Sequence, residues 1–176
     1  MIRRINLYGG PGVGKSTMAA QVYLRLKQWG RSVELVQEFV KARAYEGRPI
    51  VGWECLSTFT RQFEAEHRFL SNGVGEIVTD SPLLLQAFYA EWHGCKVASQ
   101  LKEMALAYEE PFPSINFLLF RDKRYVSQGR FQDEEAARGI DRDVERMLNE
   151  CGVQYFVLHP TETTDLNNCL SLLELP

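Results

Sequence analysis

Residues 9–17 read Gly-Gly-Pro-Gly-Val-Gly-Lys-Ser-Thr, and each residue type in that run suits the holding of a polyphosphate. Glycines at 9, 10, 12 and 14 let the backbone curl until successive N–H groups converge on one anion, an approach that side chains would block. Lys15 brings a mobile positive charge to the terminal phosphates, Ser16 a hydroxyl for Mg²⁺, and a helix beginning here points its positive dipole end at the bound charge. Gly9 followed by Gly14-Lys15-Ser16 has the Walker A spacing. Gly10, Gly12, Val13, Gly14, Lys15, Ser16 and Thr17 are therefore the expected contacts of ATP. The alternative is a Gly-Pro turn that only joins a strand to a helix. The context favours the cradle: Ile5, Leu7 and Tyr8 precede it as a buried strand, Met18, Val22, Leu26 and Trp29 follow at helical spacing, and Gly30 stands where a helix ends.

A second constellation narrows the chemistry. Asp80 ends the apolar run Glu76–Asp80, from which a carboxylate holds Mg²⁺ directly or through water. Ser81 and Pro82 then read as the N-cap and first-turn proline of the next helix. Glu38 follows the strand pattern of residues 32–37, at the sheet edge where open α/β folds bind ligands. Glu38 is the first candidate for taking a proton from an acceptor hydroxyl, with Asp80 the second. Residues 121–132 carry four cations against one acid and no apolar periodicity, as suits a loop closing over anions. Arg121, Arg124 and Arg130 are its candidates for neutralising a transferring phosphoryl group, Arg130 ahead of Arg124. Lys41, Arg43, Tyr45 and Arg48 mix cations with an aromatic ring and read either as acceptor contacts or as a solvated surface helix and turn. Pro160 and Thr161, after the fifth strand, are placed to meet the adenine.

The elements that must position these groups follow from hydrophobic periodicity. Strands are expected around Ile5–Tyr8 and over 32–37, 76–80, 115–120 and 153–158. Helices are expected after Lys15, over 53–72, from Leu83 to Trp92, over 97–108, after an Asp133 cap, and around Leu166–Leu173. That alternation predicts an α/β fold with a parallel sheet. The 176 residues, 45% of them hydrophobic, fit one domain spanning 1–176, and the net charge of −3 argues against a chain that is basic overall. Cys55, Cys95, Cys151 and Cys169 form no Cys-x-x-Cys and read as buried thiols in a reducing cytoplasm. His93 and Cys95 resemble half a metal site with no second half. Met1-Ile2-Arg3-Arg4 runs straight into the first strand and no apolar run approaches a membrane span of about 20 residues, so a cytoplasmic protein without a signal peptide is expected. A GTPase would carry Asp-x-x-Gly at Asp80 and Asn-Lys-x-Asp beyond it. An AAA-type motor would carry an acid directly after Asp80 and a helical lid domain. Neither pattern is present.

The runs Gly9–Thr17, Val33–Glu38, Thr79–Leu85 and Gly129–Ala136 together resemble a group of phage-encoded P-loop kinases, often labelled AAA-type ATPases. That group is related to ribosylnicotinamide kinase and the nucleoside monophosphate kinases. The resemblance covers nearly the whole chain. It implies a P-loop NTPase three-layer sandwich with a five-stranded parallel sheet ordered 2-3-1-4-5, helices on both faces, ATP with Mg²⁺ as donor, and a lid over 121–132. Some members phosphorylate 5-hydroxymethyluracil in phage DNA, so a hydroxymethyl group in DNA, in a host cytoplasm, is the most specific expected acceptor. A free nucleoside, nucleotide or ribosylnicotinamide is the alternative, and an ATP-binding switch or a water-using ATPase the further ones.

Overall fold

A computed structural model describes residues 3–40, 43, 45–122, 125, 132–160 and 163–173, with the side chains of 163–165 outside the description. Five strands alternate with helices: β1 (Arg4–Tyr8), α1 (Lys15–Gln28), β2 (Val33–Val36), α2 (Glu54–Ser71), β3 (Glu76–Thr79), α3 (Leu83–Trp92), α4 (Ala98–Ala107), β4 (Ser114–Leu119), α5 (Glu134–Glu150), β5 (Phe156–Leu158) and α6 (Thr163–Leu173). The strands form one sheet in the order β2-β3-β1-β4-β5, and every pairing is parallel. The order expected from the family resemblance is therefore the order observed.

Side chains alternate across a strand, and the two faces of this sheet build separate cores. Ile5, Leu7, Val78, Ile115, Phe117 and Leu119 point to one side and pack with Met18, Val22 and Leu26 of α1 and Cys169 and Leu173 of α6. Tyr8, Val36, Ile77 and Leu118 point to the other and meet α2, α3, α4 and α5. Three layers result, and β1 lies at the centre of the middle one.

Local chemistry sets the helix ends. The Asp133 carboxylate accepts from the Ala136 N–H at 2.8 Å, with Glu134 and Glu135 in the first turn where they oppose the dipole. Gly30 follows α1 at φ +77°, a left-handed conformation that closes the helix without a Cβ penalty. Ser81 does not cap α3. Pro82 holds that position, and the Ser81 hydroxyl instead accepts from Gln86 Nε2. β5 is shorter than its apolar pattern, because the Val153 N–H bonds to Leu148 O at 3.0 Å and belongs to the turn ending α5. Leu56 of α2 is exposed and takes no part in that helix's buried stripe. The stripe runs through Cys55, Phe59, Gln62, Glu66 and Leu70, one position around the helix.

Candidate functional site

The carboxyl ends of β1, β2 and β3 lie side by side, and the loops leaving them bring the expected chemistry together. After Tyr8 the chain turns through Gly9, Gly12 and Gly14, all at positive φ. Val13 is fully buried in the α1 core and pins the loop's middle. A Cβ on Gly10 would stand 2.5 Å from Asp141 Oδ1 and 2.9 Å from Ala137 O, so glycine there is a matter of space. α1 begins at Lys15 with no side-chain cap and no acid in its first turn. Among the described residues its start thus holds neither a capping side chain nor an acid of its own first turn, the condition under which a helix start receives an anion.

Lys15 Nζ donates to Gly9 O at 2.6 Å and Gly10 O at 2.9 Å. Burial lowers its pKa, Glu38, Asp80 and Asp141 act in the opposite direction, and Arg121 adds to the lowering. The lysine thus shares one electrostatic neighbourhood with three carboxylates and a guanidinium. Asp80 is buried and its Oδ1 accepts the Glu38 backbone N–H at 2.9 Å, which ties the end of β2 to the end of β3. Behind it, Thr79 Oγ1 accepts from Gln62 Nε2 at 3.1 Å and from the Ser81 N–H at 3.2 Å. Lys15, Glu38 and Asp80, expected from widely separated motifs, are therefore neighbours.

Ser16 and Thr17 stand in the first turn of α1, Ser16 half-buried and Thr17 exposed. Mg²⁺ with a nucleotide takes only one or two protein ligands, its other positions going to phosphate and water. Ser16 Oγ and the second oxygen of Asp80 suit that role in chemistry and placement. Among the described residues there is no cluster of three or more His, Cys, Asp or Glu of the kind an all-protein metal cage needs.

Arg121 is held as part of a clamp. Its Nε donates to Asp141 Oδ2 at 2.6 Å, and its Nη2 donates to Asp141 Oδ1 at 3.0 Å and to Pro11 O at 2.9 Å. Asp141 Oδ1 also accepts the Gly10 N–H at 2.7 Å. One guanidinium and one carboxylate thereby fix the outer side of the phosphate loop to the end of β4 and to α5. Arg121 Nη1 is buried with no partner among the described residues, which leaves two of the guanidinium's five N–H groups for a ligand. Asp141 was not expected from sequence, where it reads as one more polar residue on an amphipathic helix. Tyr89 was missed too. Burial and the Glu38 and Asp141 carboxylates hold its phenol far above its ordinary pKa, so it meets the site as a neutral hydroxyl.

The stems of the expected lid are tied down. His159 Nδ1 lies 2.8 Å from Asp122 Oδ2, and the Tyr125 hydroxyl donates to Gln132 O. Arg124 and Arg130 lie outside the described residues, as do Lys41 and Thr161. Pro160 is half-buried at the end of β5. Two cations expected on the acceptor side are paired with local acids: Arg43 with Glu54 at 2.8 Å and Arg48 with Glu46 at 3.7 Å. Tyr45 is exposed. Beside Glu38, the Phe39 ring carries the Arg61 guanidinium 4.4 Å from its centroid, a cation–aromatic pair absent from the expected set.

Residues 4–165 match the family described as an AAA domain. The chain belongs to the AAA domain family. Within this AAA domain Ser81 still follows Asp80, so the adjacent second acid of a motor is missing. No curated protein sequence matches. Among solved structures, a NadR protein crystallised in complex with NR is similar over 98% of this chain and 51% of its own, with a TM-score of 0.75 and 14% identity. The chain thus spans about half of that protein, and the likeness is one of fold. Among the described residues no helix is long and apolar enough to cross a membrane.

Proposed function

We propose that this AAA domain, as one domain over 1–176, is an ATP- and Mg²⁺-dependent phosphotransferase whose acceptor is a hydroxyl of a nucleoside-like molecule. The observation that carries the reading is the convergence of Lys15, Glu38 and Asp80 at the start of an uncapped α1. A binder alone needs the loop and not a carboxylate across from it. Mg²⁺, held by Ser16 and Asp80 together with the nucleotide, would neutralise the β- and γ-phosphates. The loop amides and Lys15 hold the triphosphate in line, and Glu38 accepts the acceptor's proton as its oxygen bonds to the γ-phosphorus. The bond from that phosphorus to the β,γ-bridging oxygen breaks, and ADP keeps the electron pair. Arg124 and Arg130 are the lid cations for the transferring group, and Arg121 supports the loop.

Lys41, Arg43, Tyr45 and Arg48 remain the proposed acceptor region, with Phe39 as an added stacking face. Because Arg43 and Arg48 are already paired with acids, the charge left for a nucleic-acid backbone is small, and a free acceptor is favoured over 5-hydroxymethyluracil in DNA. Incubation with γ-labelled ATP and a panel of hydroxymethyluracil DNA, free nucleosides, nucleotides and ribosylnicotinamide tests this. Label entering one small acceptor, and lost with Glu38→Gln, supports the reading. Label entering only DNA reverses the choice of acceptor, and acceptor-independent phosphate release alone makes the protein an ATPase.

A further inference from the structure

A cavity of about 330 Å³ lies under β1 and β4, on the face opposite α1, and runs from Arg4 at the amino end of β1 to Tyr8 beside the phosphate loop. A parallel sheet covered on both faces normally presents apolar side chains to its helices. Here β1 and β4 present Arg4, Asn6, Ser114 and Asn116 to one side, while Ile5, Leu7, Ile115 and Phe117 fill the other. Burying such polar groups costs free energy unless they are hydrogen-bonded.

The network accounts for only part of them. Asn116 Nδ2 donates to Gln154 O at 3.2 Å, which fixes Asn116 Oδ1 as the acceptor for Asn6 Nδ2 at 2.9 Å. Asn6 Oδ1 is left buried without a partner among the described residues. The Tyr8 hydroxyl makes no hydrogen bond among the described residues, although the residue is only 2% exposed. Arg4 is paired with Glu109, which also lines the cavity, so the cavity offers no net cation to an anion. Leu84, Ala105, Leu106 and Val153 make the remaining wall apolar.

We propose that this cavity is a second ligand site, separate from the phosphate cleft, for a small uncharged cyclic amide: a ring presenting an N–H beside a carbonyl. The N–H suits the Asn6 Oδ1 acceptor, the carbonyl suits the Tyr8 hydroxyl, and the ring lies against the leucines. Ligand pockets begin at about 300 Å³, and the space is roughly ten times the ~30 Å³ share of a single water. A sugar-like polyol would leave hydroxyls against the apolar wall, and a charged ligand would find no unpaired counter-charge.

Titration of the whole chain with 2-pyridone, followed by calorimetry or by NMR shifts, tests the site. The expected result is saturable one-to-one binding that ATP does not displace and that N-methyl-2-pyridone, which lacks the donor, does not reproduce. Tyr8→Phe removes only the hydroxyl and weakens binding about tenfold. Ala105→Leu fills the cavity and abolishes binding while ATP still binds. Absence of saturation, displacement by ATP, or full affinity in both variants overturns the proposal. The N-methyl comparison needs no variant, so misfolding of either substitution leaves the test intact, and phosphotransfer activity does not enter it.

Discussion

The Lys15 ammonium sits between two loop carbonyls and in the field of three carboxylates, and the phosphate site depends on that one charge. Lys15→Met removes a charge-assisted contact to the triphosphate and should weaken ATP binding about 100-fold by calorimetry, with the fold retained by circular dichroism. The Asp141 carboxylate receives the Gly10 N–H and, from Arg121, both the Nε and the Nη2 donors. An amide cannot accept all three, so Asp141→Asn strands the buried guanidinium and should lower stability by about 3 kcal/mol in urea unfolding. Arg121→Lys should not substitute, because one ammonium cannot serve Asp141 and Pro11 O in the same fork. Lys15, Ser16 and Asp80 were legible in the sequence because their spacing to glycines and strand ends is local. Asp141 was not, since its partner Gly10 lies 131 residues away and nothing in an amphipathic repeat marks which polar residue turns inward.

α1 enters the site without an acid in its first turn, and that omission separates stability from binding. Thr17→Asp would complement the dipole and stabilise the unliganded protein by about 0.5 kcal/mol in thermal or urea unfolding. The same carboxylate would repel the phosphates, so ATP affinity should fall, and fall less in high salt. Most elements were readable from the apolar period: α2, α3, α4 and α5 each lie within one or two residues of the expected ranges, although of these four only α5 carries a side-chain cap. The misses share a cause. Val153 and Ser81 have the local chemistry of a strand and a cap, but Leu148 O and Gln86 claim them first. The buried stripe of α2 carries Gln62 and Glu66 because the strand end it covers is polar, a demand made by Thr79 and Arg4 rather than by the helix itself.

Across the whole molecule, the buried acid beneath the sheet makes stability depend on pH. Burial pushes the Glu66 carboxyl up to about 7 from 4.5, against the pull of its Gln62 hydrogen bond and Arg4. The folded protein therefore keeps this proton where the unfolded chain has lost it. The stabilisation is complete below about pH 4.5 and is lost as pH rises through about 7, a change on the order of 3 kcal/mol. Urea titrations at pH 5 and pH 8 should show the decline, and Glu66→Gln should flatten it. The four cysteines are all free, and three are buried: Cys169 in the core beneath α1 and α6, Cys55 and Cys95 in the core on the far side of the sheet. Burial pushes the Cys169 thiol up to about 12 and raises that of Cys55 as well. A thiol reagent added to the native protein will find these sulfurs inert until their own layer parts. The order in which they become labelled then reads out which side of the sheet detaches first, with no probe attached.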